Sequence, residues 1–398
     1  MLYNFLQKGN GVLINIAIIG TGGISTAHVK AYQAISEACN IVALADIYPN
    51  KARSLAERFS LDCIVVSDYR ELLDNPNIDA VSICTPPFTH AQIAKDFLRA
   101  GKHVLVEKPM ASSLQECDEM IKVAKESSRL LSVVAQNRFM NPIMKMSFLL
   151  KENIIGKIAH AQVDSYWWRG HSYYDLWWRG TWEKEGGGCT LNHAVHHIDM
   201  LQWMMGMPKE IVAMTSNTLH DNAEVEDLSV AILQYENGGL AQVTSSVVHH
   251  GEEQQLIFQG EKARVSVPWK VKAQKSRENG FPFEESDTNI EMKIQQFWDQ
   301  SPSLKYEGHT GQIHQFVEAI NGKESLLVDG VQGRNTLELI TAIYKSANDG
   351  VRVTLPLKAD DPFYTRDGIL AHIKHFYEKT TSIENFTDSN ITTGGHYE

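Results

Sequence analysis

Two side chains of this sequence stand where a proton could be taken up or given away. Lys108 lies in Glu107-Lys108-Pro109, directly after the apolar run His103–Val106, so a strand end and a proline hold it on a rigid support. A surface lysine in a turn is the plain alternative, and the apolar run leading into it speaks against that. His196 lies in a run that opens with Gly186-Gly187-Gly188 and continues through Asn192, His193, His196, His197 and Asp199. Such glycines make a loop that can lie close to a ligand, and the residues after them read as a helix. Imidazole titrates near neutral pH, which suits a general acid or base. Asn192 and His196 are four apart and would share one helix face, with Asp199 three beyond His196. Lys108, Asn192 and the histidines of this run, His196 among them, are residues that could do such chemistry. Asn192 can orient a hydroxyl or an imidazole, but as a neutral amide it cannot stabilise an imidazolium by charge.

The same helix invites a metal, since His193 and His197 could chelate one from a single face. The five cysteines, Cys39, Cys63, Cys84, Cys117 and Cys189, lack ligand spacing, so no metal is expected and packing is the alternative for these two histidines.

A strand, a glycine turn and a helix start precede both candidates. Ile16–Ile19 is an apolar run, Gly20, Gly22 and Gly23 follow with Ile24, and a helix begins near Ser25. Glycines there let the backbone approach a pyrophosphate, and the first-turn N–H groups point at it with the helix dipole behind. Ser25 stands where the fingerprint has its third glycine. Asp46 closes a second strand, Ile41–Ala45, at the place expected for a ribose-binding carboxylate. A carboxylate repels a 2′-phosphate, so NAD is expected over NADP, with Lys51 and Arg53 close behind tempering the preference. Thr85 and Pro86, after the run Ser82-Ile83-Cys84, and then His90, lie where a cofactor ribose would sit. Glu107, Lys108 and Asn137 complete the expected cofactor set.

Strands are expected at 14–19, 41–45, 63–66, 79–84, 103–106 and 131–135, with helices at 24–37, 50–59, 69–73, 89–100 and 113–127. That alternation gives an α/β fold with a doubly wound parallel sheet, because each parallel crossover needs a covering helix. Further strands are expected near 158–167, 210–218, 227–235, 239–248, 254–259 and 263–267, and helices near 310–321, 331–349 and 366–378. Residues 270–310 read as an inserted loop, and the polar stretch to Glu398 as mobile or embracing a neighbour.

A formal charge of −11 argues against nucleic acid and anionic membranes as partners. An odd cysteine count without paired spacing suits a reducing compartment. Met1–Ile19 loosely resembles a secretory leader, but its apolar part is also the first strand, and cleavage there would destroy the fold, so the cytoplasm is expected.

The order of these motifs, G-x-G-G-I, the acidic end of the second strand, C-T-P-P-x-x-H and E-K-P, resembles the Gfo/Idh/MocA family of NAD(P)-dependent dehydrogenases over roughly residues 14–365. The resemblance implies a Rossmann domain over 1–137, a substrate domain over 138–365 with a large, open, mostly antiparallel sheet used for oligomerisation, and a C-terminal helix and tail over 366–398. It places Lys108 beside the nicotinamide and the substrate hydroxyl, and makes His196 the acid/base residue. Asn192 stands where many relatives have aspartate, although some sugar-active branches share the asparagine. A dimer or tetramer is implied.

Between the two constellations, residues 166–182 carry five tryptophans and two arginines. Aromatic faces pack on the C–H faces of a sugar ring while Arg, Asp and Tyr bond its hydroxyls. Arg169, Tyr173, Asp175, Trp178, Arg179 and His193 are the substrate candidates, and a subunit contact is the competing use of the same aromatics. The wording resembles the branch of the family that oxidises pyranosides, cyclitols and sugar nucleotides. The expected activity is NAD-dependent oxidation of a sugar or inositol hydroxyl. An NAD-retaining redox glycosidase and a non-catalytic NAD-binding sensor are the alternatives.

Overall fold

The computed structural model describes residues 12–380, 382–384 and 386; residues 1–11 of the leader-like stretch Met1–Ile19 and the last residues of the tail lie outside them. The first layer runs β1 (Ile14–Ile19), α1 (Ser25–Gln33), β2 (Cys39–Ala45), α2 (Pro49–Arg58), β3 (Ile64–Val66), β4 (Ala80–Ile83), α3 (Pro87–Arg99), β5 (His103–Val106), α4 (Leu114–Ser127) and β6 (Leu131–Val133). The six strands are parallel in the order β3-β2-β1-β4-β5-β6. Strand order reverses between β1 and β4, which opens a crevice at their carboxyl ends. The stretch at 69–73 is a single 3-10 turn, Tyr69–Leu72, capped by Asp68. α1 stops at Gln33, four residues before the expected end at 37.

A short 3-10 turn, Gln136–Phe139, leads into α5 (Asn141–Lys151) and β7 (Ile158–Tyr166). Then come α6 (Cys189–Asn192), α7 (Val195–Met205), β8 (Glu210–Ser216), β9 (Leu228–Gln234), β10 (Leu240–Ser246), β11 (Gln254–Gly260), β12 (Arg264–Val267) and β13 (Lys270–Lys272). After them follow β14 (Gln274–Ser276), β15 (Pro282–Ser286), α8 (Thr288–Gln300), α9 (Gly308–Ile320), α10 (Gly330–Asp349), β16 (Val353–Thr354) and α11 (Arg366–His372). Eight of these strands form the second sheet, in the order β13-β12-β11-β7-β10-β9-β8-β16, with β7 and β10 its one parallel pair. On β9, Ala231 and Leu233 are buried while Val230 and Ile232 face out, the two-residue alternation of a sheet covered on one side. The covering helices are α7 and α10.

Helix α9 crosses back to the first layer, where Ile313, Phe316 and Val317 pack with Ile16, Ile18 and Val29. Its Gln312 also bonds the β6 backbone, accepting from Ala135 N at 2.9 Å and donating to Val133 O at 2.7 Å.

Three expectations change. Residues 270–310 form a hairpin, β14–β15, and helix α8, whose Trp298 stacks on Trp269 at 3.8 Å. Polar residues between the apolar positions Ile290, Ile294, Phe297 and Trp298 mask that helix in the sequence. The helix after the glycine run is broken at His193-Ala194, so Asn192 and His196 do not share one continuous face. The last helix ends at His372, and the described part of the tail turns back onto its own chain.

Candidate active site

The glycine loop hangs between β1 and α1. Gly20 has φ +90°, and a Cβ on it would lie 2.8 Å from the carbonyl carbon and oxygen of Cys84, so no side chain fits. Thr21 reaches across to Asp46, whose Oδ2 accepts from its N–H at 2.8 Å and its hydroxyl at 2.7 Å. Gly22 and Gly23 face solvent, Ile24 is half-buried, and a Cβ on Gly22 would meet nothing within 4 Å. Ser25 is buried and donates to Gly22 O at 2.6 Å, so it closes the loop by a hydrogen bond. This cradle fits a dinucleotide: open backbone at a helix N-terminus, beside a carboxylate with lone pairs to spare for a ribose. Lys51 lies over the Tyr48 ring, and Arg53 donates to Asn50, so both cations are engaged on α2 itself.

Thr85 and Pro86 flank the crevice at the end of β4, where Thr89 Oγ1 donates to the hydroxyl of Thr85 and to Pro86 O. His90 does not line it. Its ring is buried and bonds the carbonyls of Thr85 and Pro109, at 2.7 and 2.9 Å, so it braces the two loops from beneath. Asn137 sits on the Gln136–Phe139 turn below β6.

Glu107 is turned inward, away from the position of a direct cofactor contact. One carboxylate oxygen meets His28 Nε2 at 2.9 Å and lies 3.8 Å from His309 Nε2; the other accepts from Lys108 N–H at 3.1 Å. Burial works to raise the Glu107 carboxyl, but hydrogen bonds from His28 and His309 outweigh it and hold it well below the usual range. His28, Glu107 and His309 are the one group of three ligand-type side chains that converges, within 4.8 Å, among the described residues; His193 and His197 form no such group there.

Lys108 extends from the end of β5 toward α6, and its Nζ donates to the carbonyl of Asn192 at 3.1 Å. Burial lowers the Lys108 pKa, Arg179 nearby adds to this, and Glu107 opposes it. The Asn192 side chain faces neither Lys108 nor His196. Its amide donates to Gly187 O at 2.8 Å and Gly188 O at 3.3 Å, tying down the glycine loop. That loop also rests on Glu226, whose carboxylate accepts from Gly188 N–H and Thr190 N–H, so the segment before β9 supports the site. A Cβ on Gly188 would lie 1.9 Å from Glu226 O, which demands glycine there.

His196 is buried on the first turn of α7. Burial, then Lys108 and His197, push its pKa well below the usual value, so the ring is neutral. Asp199, on the same helix, pairs with Arg138 and not with His196. The contact is bidentate, 2.7 and 2.8 Å, fully buried, and completed by Thr336.

The aromatic segment forms one wall. Arg179 lies over Tyr173 and Trp178, at 4.2 and 4.3 Å, donates to the Tyr173 hydroxyl, and pairs with Glu185 at 3.0 Å. Arg169 lies over Trp167 and Tyr173 and pairs with Glu252 at 2.5 Å. His193 meets the rings of Trp167 and Tyr173, at 5.5 and 5.6 Å. Burial lowers its pKa, and Arg169, Arg179, Lys108 and His196 nearby add to this. Asp175 is turned aside, accepting from Asn222 at 2.8 Å. Of the tryptophans, Trp167 and Trp182 are core, whereas Trp168 and Trp177 are partly exposed. The partner that sequence reading missed is Glu185. It is buried, and its only sequence signal is a carboxylate one residue before the glycine run.

The family model of the oxidoreductases' NAD-binding Rossmann fold matches residues 14–135, and that of their C-terminal alpha/beta domain matches residues 148–355. A myo-inositol 2-dehydrogenase of Thermotoga maritima is 27% identical over 257 residues, 63% of this chain and 74% of the relative. A 2,7-anhydro-N-acetylneuraminate hydratase of Mediterraneibacter gnavus is 27% identical over 260 residues, 64% of this chain and 67% of the relative. The WlbA dehydrogenase of Bordetella pertussis, solved with NADH and UDP-GlcNAcA, superposes with a TM-score of 0.75 at 28% identity, covering 87% of this chain and 99% of that one. With its cradle, its paired domains and these matches together, the chain is a member of the Gfo/Idh/MocA family of NAD-binding oxidoreductases.

Proposed function

We propose that this enzyme moves hydride reversibly between a secondary alcohol carbon of a sugar or cyclitol and NAD. The observation that carries the reading is that Lys108 and His196 line one cavity, while Arg179, stacked on Tyr173, lies near enough to Lys108 to help lower its pKa. Gly20–Ile24 would hold the pyrophosphate and Asp46 the adenosine ribose, and the bound nicotinamide would supply the hydride acceptor. Lys108 Nζ binds the reacting oxygen. Neutral His196 takes the hydroxyl proton as negative charge grows on that oxygen. Arg169 and Arg179 bond neighbouring hydroxyls, and Tyr173 presents a ring face. The named substrates of the inositol and nucleotide-sugar relatives support this substrate class.

Formation of NADH, followed by its near-ultraviolet absorbance across inositols, aldoses, glycosides and nucleotide sugars, tests the proposal. No NADH from any of them, with NAD still bound, would refute it. The hydratase relative favours a second reading, in which the cofactor is restored within each turnover. Neutral His193 would then be the second base, and an aryl glycoside would lose its phenol only with NAD present.

The outer face of the second sheet supports a homo-oligomer. Val212 lies beside Ile232 and Met214 beside Val230 across β8 and β9, and Met214 is 77% and Ile232 54% exposed.

A further inference from the structure

The aromatic wall is built on the loop Gly170–Glu185, which has little regular structure of its own: one 3-10 turn, His171–Asp175. A segment far along the chain reaches it. Past α11, Phe376 N–H donates to Glu224 O at 2.9 Å, and Glu224 in turn holds the wall, donating to Gly180 O and accepting from Trp182 N–H. Lys379 Nζ donates to the carbonyl of Tyr174. Ile383 then pairs with the wall as a strand would: Ile383 N–H donates to Asp175 O at 2.8 Å, and Trp177 N–H donates to Ile383 O at 3.0 Å. The pinned carbonyls and amide belong to Tyr174, Asp175 and Trp177, between Tyr173 and Arg179, the two side chains that stack in the pocket.

We propose that Phe376, Lys379 and Ile383 form a strap that fixes the wall and thereby sets which sugar fits. The inference rests on the proposed function for its substrate but not for its geometry. The strap lies beyond residue 355, where the match to the C-terminal domain ends. A loop held by its own main chain keeps its side chains aimed. Released, Tyr173 and Arg179 would have to be ordered by the substrate at a cost in affinity. Phe376, Lys379 and Ile383 touch no reacting group and are positioning residues.

The test uses the full-length chain carrying Lys379→Ala together with Ile383→Pro, which removes the ammonium and one strand-like donor. Amide hydrogen exchange in the NAD-loaded protein should speed up about tenfold across 174–182, the effect of losing contacts of this kind. KM for the substrate should rise about fivefold to tenfold with kcat within about twofold, since the wall binds and does not react. NAD affinity, followed by protein fluorescence, should be unchanged. Lys379→Arg alone should behave as the native chain. Unchanged exchange over 174–182 would overturn the strap whether or not any sugar is oxidised. Faster exchange with unaltered KM would overturn its role in substrate choice. A native chain that oxidises no sugar would instead refute the proposed function, with exchange still deciding the strap.

Discussion

Lys108 Nζ is bonded to the main-chain carbonyl of Asn192, 3.1 Å away, so the lysine of the first layer is anchored by backbone of the second. The Asn192 side chain meanwhile faces two carbonyls, those of Gly187 and Gly188. Asn192→Asp should therefore damage this enzyme. A carboxylate would meet two acceptors, and an unsatisfied buried polar contact costs about 1–3 kcal/mol. Lower kcat/KM and a lower melting temperature are expected, and an increase in kcat would contradict the assignment.

Lys108→Met should lower kcat/KM by about 10²–10⁴-fold, the range for a positioned proton-handling group, while NAD still binds. The Lys108 pKa lies below the ordinary 10.5, so its neutral form grows as pH rises through that lowered value. The ammonium is the form that holds the negative charge growing on the reacting oxygen, so alcohol oxidation should fall along that limb in the native enzyme and show no such limb in the variant. His196 is held well below 6.5, so no second limb is expected at the ordinary histidine value.

Asp46→Ser should weaken NAD by about tenfold or more, since bonds to a charged group are worth about 1.5–3 kcal/mol, and should narrow the gap to NADP. Because Asp46 also accepts from Thr21, some of the loss will reflect a looser glycine loop. Titration with both cofactors separates the two, because a looser loop weakens both and a lost 2′-phosphate repulsion favours only NADP.

Asp199→Asn should cost about 3–5 kcal/mol of stability, because it leaves Arg138 buried without a counter-charge. Denaturant unfolding measures this directly. The double variant Arg138→Met with Asp199→Leu should be less harmful than Asp199→Asn alone, and the reverse order would show that the pair is not acting as a pair.

Much of this molecule is legible in its sequence. The six parallel strands announce themselves as apolar runs, and the glycine turn and Asp46 meet at Thr21 as the fingerprint implies. Lys108 and His196 come from residues 88 apart in the chain into one pocket, which the motifs suggest but no local pattern proves. Side-chain pairings across the fold have no such local signature. Asp199 lies three residues from His196, yet its partner is Arg138, 61 residues earlier. His90 belongs to a motif at a ribose position, yet its ring is spent on two carbonyls. The strap is the extreme case, a polar tail whose partner is a loop some 200 residues away.

If the apolar outer face of the second sheet joins two copies, Met214→Glu with Ile232→Glu should give a smaller species in sedimentation without loss of NAD binding. Unchanged mass would place any contact elsewhere.

The second sheet ends in β13, three residues with lysines at both ends, and in β16, two residues long. β16 covers only Glu210 and Ile211 of β8, and beyond them Ala213 N–H is taken by Ser346 Oγ, which shortens the row of backbone donors and acceptors on which another chain could lay a strand. If copies meet, such margins favour a broadside contact over extension of one another's hydrogen-bonded ladder. Pairing across a face is self-limiting where pairing along an edge is not, so the short outer strands protect a protein with an apolar sheet face from growing into fibres.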